Sequence, residues 1–194
     1  MSTLTALPEG YREIYSIDLL KNKKTALFVN ILSLVLAFVM IVAGGLVVSI
    51  KMLFDMSQGL GVYFLRFAAL FAFMIIYIVL HELVHAVVMK SFGTKKVKCG
   101  FKGIYGYAGS DDYYNKLQYI TIALSPVMLW GVVIAVINFF VPVEWFWVVY
   151  FIQVFNISGA AGDMFVVWKF SRMPKDILVR DYGVGMHVYS KTEQ

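Results

Sequence analysis

Charged residues are scarce in this sequence and cysteine is almost absent. Each shortage excludes certain classes of protein or of metal site. Only 15% of the residues are charged, whereas 60% are hydrophobic. A single soluble core of this size cannot bury so much apolar surface, so the composition predicts a membrane protein. Because Cys99 is the single cysteine, an intramolecular disulfide and a cysteine-based zinc cluster are both excluded. Any metal site must therefore use histidine and carboxylate ligands.

Positive charge is present, but it is confined to the segments between the apolar runs. The formal net charge is +5, and its distribution is typical of membrane topology and does not favour a nucleic-acid partner. Basic residues precede the first run, follow the second and follow the fourth: Arg12, Lys21, Lys23 and Lys24; Lys90, Lys95, Lys96, Lys98, Lys102 and Lys116; Lys169, Arg172, Lys175 and Arg180. Cytoplasmic loops are rich in lysine and arginine, which predicts a multi-pass protein with both termini cytoplasmic.

Four apolar runs reach the length of about 20 residues that a membrane-spanning helix needs. They cover about residues 25–50, 63–89, 117–141 and 145–168. The first is much longer than a signal-peptide core of roughly 7–15 residues, so we interpret it as a retained span. The third contains Pro126, which a membrane helix tolerates when neighbours satisfy the freed carbonyl. We predict an all-α integral membrane fold, with one membrane-embedded domain over residues 1–194.

Two polar segments remain outside the predicted spans. They are the loop 90–116 and the C-terminal tail 171–194. Within the loop, residues 97–109 alternate small or polar with apolar side chains around glycines, which predicts a small cytoplasmic β-hairpin.

The second run carries a group of ionisable residues with metal-binding spacing. His81 and His85 lie four residues apart, which places both imidazoles on one helix face, and Glu82 lies beside them. In zinc peptidases this pattern binds the metal and supplies a general base. Ionisable residues are costly in a membrane helix and usually mark a functional site. The alternative is that the three side chains only hydrogen-bond neighbouring helices and stabilise the bundle.

A catalytic zinc site usually needs a third protein ligand, and Asp163 is the leading candidate. It lies near the end of the fourth run, six residues before Lys169, and His81 lies nine residues before Lys90. These two offsets differ by only about 5 Å along the helix axis, which makes His85 and Asp163 nearly level. The other candidates are His187, Asp181, Asp111 and Asp112, all in polar segments. Asn156 shares a helix face with Asp163, where it could stabilise a developing oxyanion or bridge two helices.

The residues HELVHA, the pair Ser125-Pro126 and the stretch NISGAAGD at 156–163 resemble the core of the site-2 protease superfamily. Most of the chain is similar to a family of bacterial membrane proteins described as "putative zincin peptidases". In site-2 proteases a later helix carries asparagine, proline, and an aspartate followed by glycine. This chain has Gly159 in place of that proline, its aspartate one residue early, and Met164 in place of that glycine.

This resemblance implies a zinc-dependent intramembrane endopeptidase in a bacterial cell membrane, acting on a membrane-protein or peptide substrate within the lipid bilayer. It implies Zn²⁺ bound by His81, His85 and Asp163, with Glu82 as general base and Asn156 as a further catalytic residue. The alternative is a non-catalytic membrane scaffold whose zinc or polar cluster only stabilises the bundle. A metal transporter ranks last, because the polar residues cluster at one depth and do not follow a path through the membrane.

Overall fold

The computed structural model describes residues 3–18, 21–102, 105–183 and 185–191. Its elements in chain order are β1 (Arg12–Asp18), α1 (Lys23–Val47), α2 (Leu60–Ser91), β2 (Lys98–Lys102), β3 (Tyr105–Gly109), β4 (Tyr113–Asn115), α3 (Lys116–Phe140), α4 (Phe146–Gly159), α5 (Ala161–Ser171), β5 (Leu178–Asp181) and β6 (Gly185–Ser190). Short 3-10 helices cover Ile50–Phe54 and Val143–Trp145.

The described residues are mostly helical, and four helical segments among them are long and apolar enough to cross a membrane. They are Lys23–Val47, Leu60–Ser91, Lys116–Phe140 and Val143–Ser171. These are the four predicted runs, with ends that differ by a few residues. The fourth differs in one respect, because α4 ends at Gly159 and α5 begins at Ala161. A sequence with glycines at 159 and 162 has weak helix propensity there, which favours such an interruption.

The strands form two separate sheets. The hairpin predicted at 97–109 is confirmed, with β2 and β3 paired antiparallel from Lys98 with Gly109 to Lys102 with Tyr105. Residues 103 and 104 of the predicted hairpin, and residues 184 and 192–194 of the predicted tail, lie outside the described residues.

A second sheet of four antiparallel strands, in the order β1-β6-β5-β4, was not predicted. The all-α prediction is corrected by this sheet, which joins both flanks of the chain to the segment before α3. The pairing of β1 with β6 brings together residues such as Ser16 and His187. Strands so far apart in sequence pair only through tertiary packing. Each segment has too few apolar residues to be recognised as a strand by itself, so the sequence alone predicts polar flanks there.

Two compact units make up the chain, and the predicted single domain over 1–194 stays a prediction. The first unit comprises residues 1–29, 81–126 and 162–194. Its core consists of apolar side chains from the four-stranded sheet and from the parts of α2, α3 and α5 that belong to this unit. They include Met89, Ile122, Phe170 and Val188, each at most 2% exposed.

The second unit comprises residues 30–80 and 127–161. Leu70 and Tyr77 of α2 pack there against Ile134 of α3 and against Val148 and Ile152 of α4.

Candidate metal centre

The final part of α2 presents two histidines on one face. His81 and His85 are separated by one helical turn, and their ring centroids lie 5.0 Å apart. Both imidazoles are largely buried, with side-chain exposures of 12% and 10%. This is the arrangement that the spacing of four residues predicts for a helix.

Asp163 approaches the two histidines from the start of α5. The interruption after α4 places this aspartate in the first turn of the new helix, where the helix dipole favours a negative charge. Its Oδ2 lies 3.4 Å from Nε2 of His81, and its Oδ1 lies 3.7 Å from Nε2 of His85. The ligand atoms of the three residues all lie within 4.8 Å of one another. The structure thus brings together the three side chains that the sequence predicts as ligands, and their equal depth in a membrane stays a prediction.

The three side chains fit a zinc ion in both chemistry and spacing. Zinc accepts histidine nitrogen and carboxylate oxygen at about 2.0–2.2 Å in tetrahedral geometry. Two such ligand atoms on one ion stand about 3.4 Å apart by simple trigonometry, and the distances of 3.4 and 3.7 Å between nitrogen and oxygen match this value. Two histidines and one carboxylate also leave a fourth position for water or substrate.

The orientation of the His85 ring is fixed by a backbone carbonyl. Nδ1 of His85 lies 2.9 Å from the oxygen of Ile122 in α3. A carbonyl oxygen only accepts hydrogen bonds, so Nδ1 carries a proton, and in the neutral ring the lone pair then lies on Nε2. Nε2 is the atom that faces Asp163. Histidine ligands of metals usually have such a second partner.

Glu82 and the strand β2 lie close to this group. The charge of Glu82 interacts with His81, His85 and Asp163. Burial raises the pKa of the Cys99 thiol in β2, and the charge of Glu82 raises it further. Glu82 and Cys99 both belong to the first compact unit. Within the described part of the chain, β2 pairs only with β3, so its other edge is free.

The alternative ligands from the sequence have partners of their own. His187 Nδ1 lies 3.2 Å from Glu13 Oε2. Asp111 accepts from Lys98 at 2.6 Å and from Arg180 at 2.9 Å. These residues and Asp112, which accepts from Thr3, lie outside the group of possible metal ligands that the described residues form.

Asp181, the remaining alternative ligand, is also buried in the first unit, where it belongs to a different hydrogen-bond network. Its carboxylate accepts from the hydroxyl of Tyr119 at 2.5 Å and from the backbone N–H of Gly183 at 2.7 Å. Burial raises the pKa of Asp181 above its ordinary value, and the two hydrogen bonds partly oppose this rise. No local sequence pattern predicts the contact between Asp181 and Tyr119.

Asn156 is fully buried in the second unit and connects three helices there. Its Oδ1 accepts from the Tyr77 hydroxyl at 2.6 Å, and its Nδ2 donates to the carbonyl of Val127 at 3.3 Å. These contacts are the helix bridge that the sequence analysis considered, and the catalytic role of Asn156 stays a prediction.

Comparison with known proteins gives one similar curated protein and one family. The chain is 33% identical over 123 residues to "Uncharacterized 24.7 kDa protein in gap 5'region" from Pyrococcus woesei, a match that covers 58% of this chain and 51% of the relative. The chain thus spans about half the length of the curated relative. No solved structure matches.

The family model described as "Putative zincin peptidase" matches residues 73–178. This segment contains all three possible metal ligands and Glu82. The description of this family suggests a metallopeptidase, and the word zincin suggests zinc as the metal. On this match, which covers more than half of the chain, the protein belongs to the "putative zincin peptidase" family.

Proposed function

We propose that this protein is a zinc-dependent intramembrane endopeptidase of the site-2 protease type, which hydrolyses a peptide bond in or near a membrane-spanning segment. The observation that carries the proposal is the convergence of His81, His85 and Asp163 at zinc-ligand spacing. All three residues belong to helical segments that are long and apolar enough to cross a membrane.

Membrane insertion is supported by the apolar side chains that these helices leave exposed. Leu46 of α1 is 85% exposed, and Phe139 of α3 is 82% exposed. Water disfavours such surface, whereas lipid does not. The lipid bilayer is therefore the environment that we propose for these side chains.

The proposed orientation, with both termini cytoplasmic in the cell membrane, is supported by the position of Arg66. This arginine is one of the few basic residues near the opposite connectors, and it is only 1% exposed. Its guanidinium donates to the carbonyls of Met52, Asp55 and Glu144. It is therefore a buried structural residue and does not weaken the positive-inside pattern.

In the proposed reaction, His81 and His85 would hold the metal through Nε2, and Asp163 would hold it through a carboxylate oxygen. A bound zinc ion supplies Lewis-acid chemistry, polarising the scissile carbonyl and making water nucleophilic near neutral pH. The carboxylate of Glu82 accepts a proton from the attacking water and delivers it to the leaving amide nitrogen. The C–N bond breaks, and the products are a carboxylate and an amine.

A substrate helix has all of its backbone amides paired internally, so it must unwind before hydrolysis. The free edge of β2, near Glu82, is suited to receive the unwound segment by strand addition. Lys98 and Phe101 on this strand are both exposed.

The test is the zinc content and the cleavage activity of the detergent-purified protein, with a panel of labelled single-span peptides as substrates. We expect about one zinc per chain in the wild type and in Glu82→Gln, with cleavage lost only in the latter. His81→Ala should lose both, whereas His187→Ala, the matched histidine control, should lose neither. Normal zinc content with no effect of Glu82→Gln on any function would instead favour the non-catalytic scaffold.

A further inference from the structure

We propose that Pro126 is a positioning residue of the metal centre, because it leaves the Ile122 carbonyl free to hold His85 in its metal-binding tautomer. The inference deepens the proposed function and rests on it in one respect, namely that His85 Nε2 binds a metal. It concerns only residues of the first compact unit.

The backbone hydrogen-bond pattern of α3 is interrupted at Pro126. In a regular α-helix the carbonyl of Ile122 would accept the backbone N–H of residue 126, four positions later. Proline has no N–H, and α3 nevertheless continues through Pro126 to Phe140. The Ile122 oxygen is therefore without its helical donor.

Two side chains use the oxygen that the proline leaves open. The Ser125 hydroxyl donates to it at 2.8 Å, and Nδ1 of His85 donates to it at 2.9 Å. A carbonyl oxygen has two lone pairs, so these two donors fill it. An N–H at position 126 would be a third donor for two lone pairs. His85 would be the easiest donor to displace, because it belongs to another helix, α2.

The consequence for the metal centre is a fixed tautomer. With its proton held on Nδ1, His85 keeps a lone pair on Nε2, which faces Asp163 at 3.7 Å. If the Ile122 contact were lost, the proton could move to Nε2, where Asp163 would attract it, and the metal would then have to displace that proton. Outer-shell partners of this kind typically change metal affinity by about 10- to 100-fold.

A purely structural role for Pro126 is the competing explanation, since the ring is fully buried. The two explanations differ in what Ser125 should do. If donors compete for the Ile122 oxygen, removing the serine hydroxyl should make room for a new N–H at 126. If the proline only shapes or packs the helix, removal of that hydroxyl should not help.

The experiment is a double-mutant cycle on the zinc affinity of the full chain in detergent, measured by competition with a chromophoric chelator. We expect Ser125→Ala to be close to the wild type and Pro126→Ala to bind zinc about 10- to 100-fold more weakly. The double variant Ser125→Ala/Pro126→Ala should recover most of the affinity. Wild-type affinity in Pro126→Ala, or a double variant as weak as Pro126→Ala, would overturn the proposal.

A second measurement needs no metal and no stable variant at position 126. Nitrogen chemical shifts of the metal-free protein, labelled at histidine and held above the imidazole pKa, report the tautomer of each ring. The chain has three histidines, so His81→Ala and His187→Ala spectra assign them by elimination. We expect His85 to carry its proton on Nδ1, and a proton on Nε2 would contradict the inference. Should the wild type bind no zinc, the proposed function fails while this measurement still decides the tautomer.

Discussion

Oδ2 of Asp163 lies 3.4 Å from Nε2 of His81, although the two residues belong to helices separated by the whole of α3 and α4. The contact depends on the interruption at Ala160, because Asp163 lies in the first turn of the helix that begins directly afterwards. A carboxylate and an imidazole at this distance, with a second imidazole beside them, form a ligand set that suits a divalent cation.

Chelation should destabilise the wild type but not a variant without the carboxylate ligand. A ligand that binds only the folded state stabilises it, by about 2.7 kcal/mol at 100 times its dissociation constant. We therefore expect excess EDTA to lower the unfolding temperature of zinc-loaded wild-type protein and to leave Asp163→Asn unchanged. Differential scanning fluorimetry in detergent measures both. Equal shifts in the two proteins would show that Asp163 does not hold the metal.

Tyr77→Phe should weaken the second unit without affecting the metal. The substitution removes the hydroxyl that donates to Asn156 at 2.6 Å in a buried site. Interhelical hydrogen bonds of membrane proteins contribute about 0.6 kcal/mol on average and up to about 1.7 kcal/mol, so we expect a loss in this range by denaturant titration. Tyr63→Phe in the same helix is the matched control. Tyr63 contacts Phe64 and Phe67 through its aromatic ring, which phenylalanine retains. A lower zinc affinity in Tyr77→Phe would contradict this separation of roles.

Adjacent glycines in α1 should respond differently to alanine. A Cβ at Gly44 would stand only 2.9 Å from Cδ1 of Tyr150, whereas a Cβ at Gly45 would meet nothing within 4 Å. Overpacking of this kind typically costs about 1–3 kcal/mol. We expect Gly44→Ala to lower the unfolding temperature and Gly45→Ala to leave it unchanged or raise it slightly, since alanine favours helix. Equal effects would mean that α1 does not pack on Tyr150 in the membrane.

Asp181 should make the stability of the protein fall with rising pH. Burial raises the pKa of this carboxyl above its ordinary value of 3.8, so the folded state binds the proton more tightly than the unfolded state does. Its contribution to stability is complete below the unfolded value and is lost as the pH rises through the raised folded value. In Asp181→Asn this pH-dependent component should disappear, because the amide does not titrate in this range. Unfolding temperatures of both proteins between pH 4 and 8 test this, and parallel profiles would refute it.

The helices and the two-histidine motif could be predicted from the sequence because both depend on local spacing. An apolar run of sufficient length forms a helix wherever it packs, and four residues along that helix always bring two side chains to one face. The hairpin at 97–109 was predictable for the same reason, since its strands are neighbours in the chain.

The four-stranded sheet, the interruption before Asp163 and the contact of His85 with Ile122 needed the tertiary structure. Strands β1 and β6 lie at opposite ends of the chain. No local pattern predicts which distant strand such a short segment will pair with. The sequence alone determined that His81, Glu82, His85 and an apolar membrane-length scaffold occur together. Only the tertiary structure decided that Asp163, among five acidic or histidine candidates, lies within ligand distance of both imidazoles, because that choice depends on the packing of three helices and not on spacing within one.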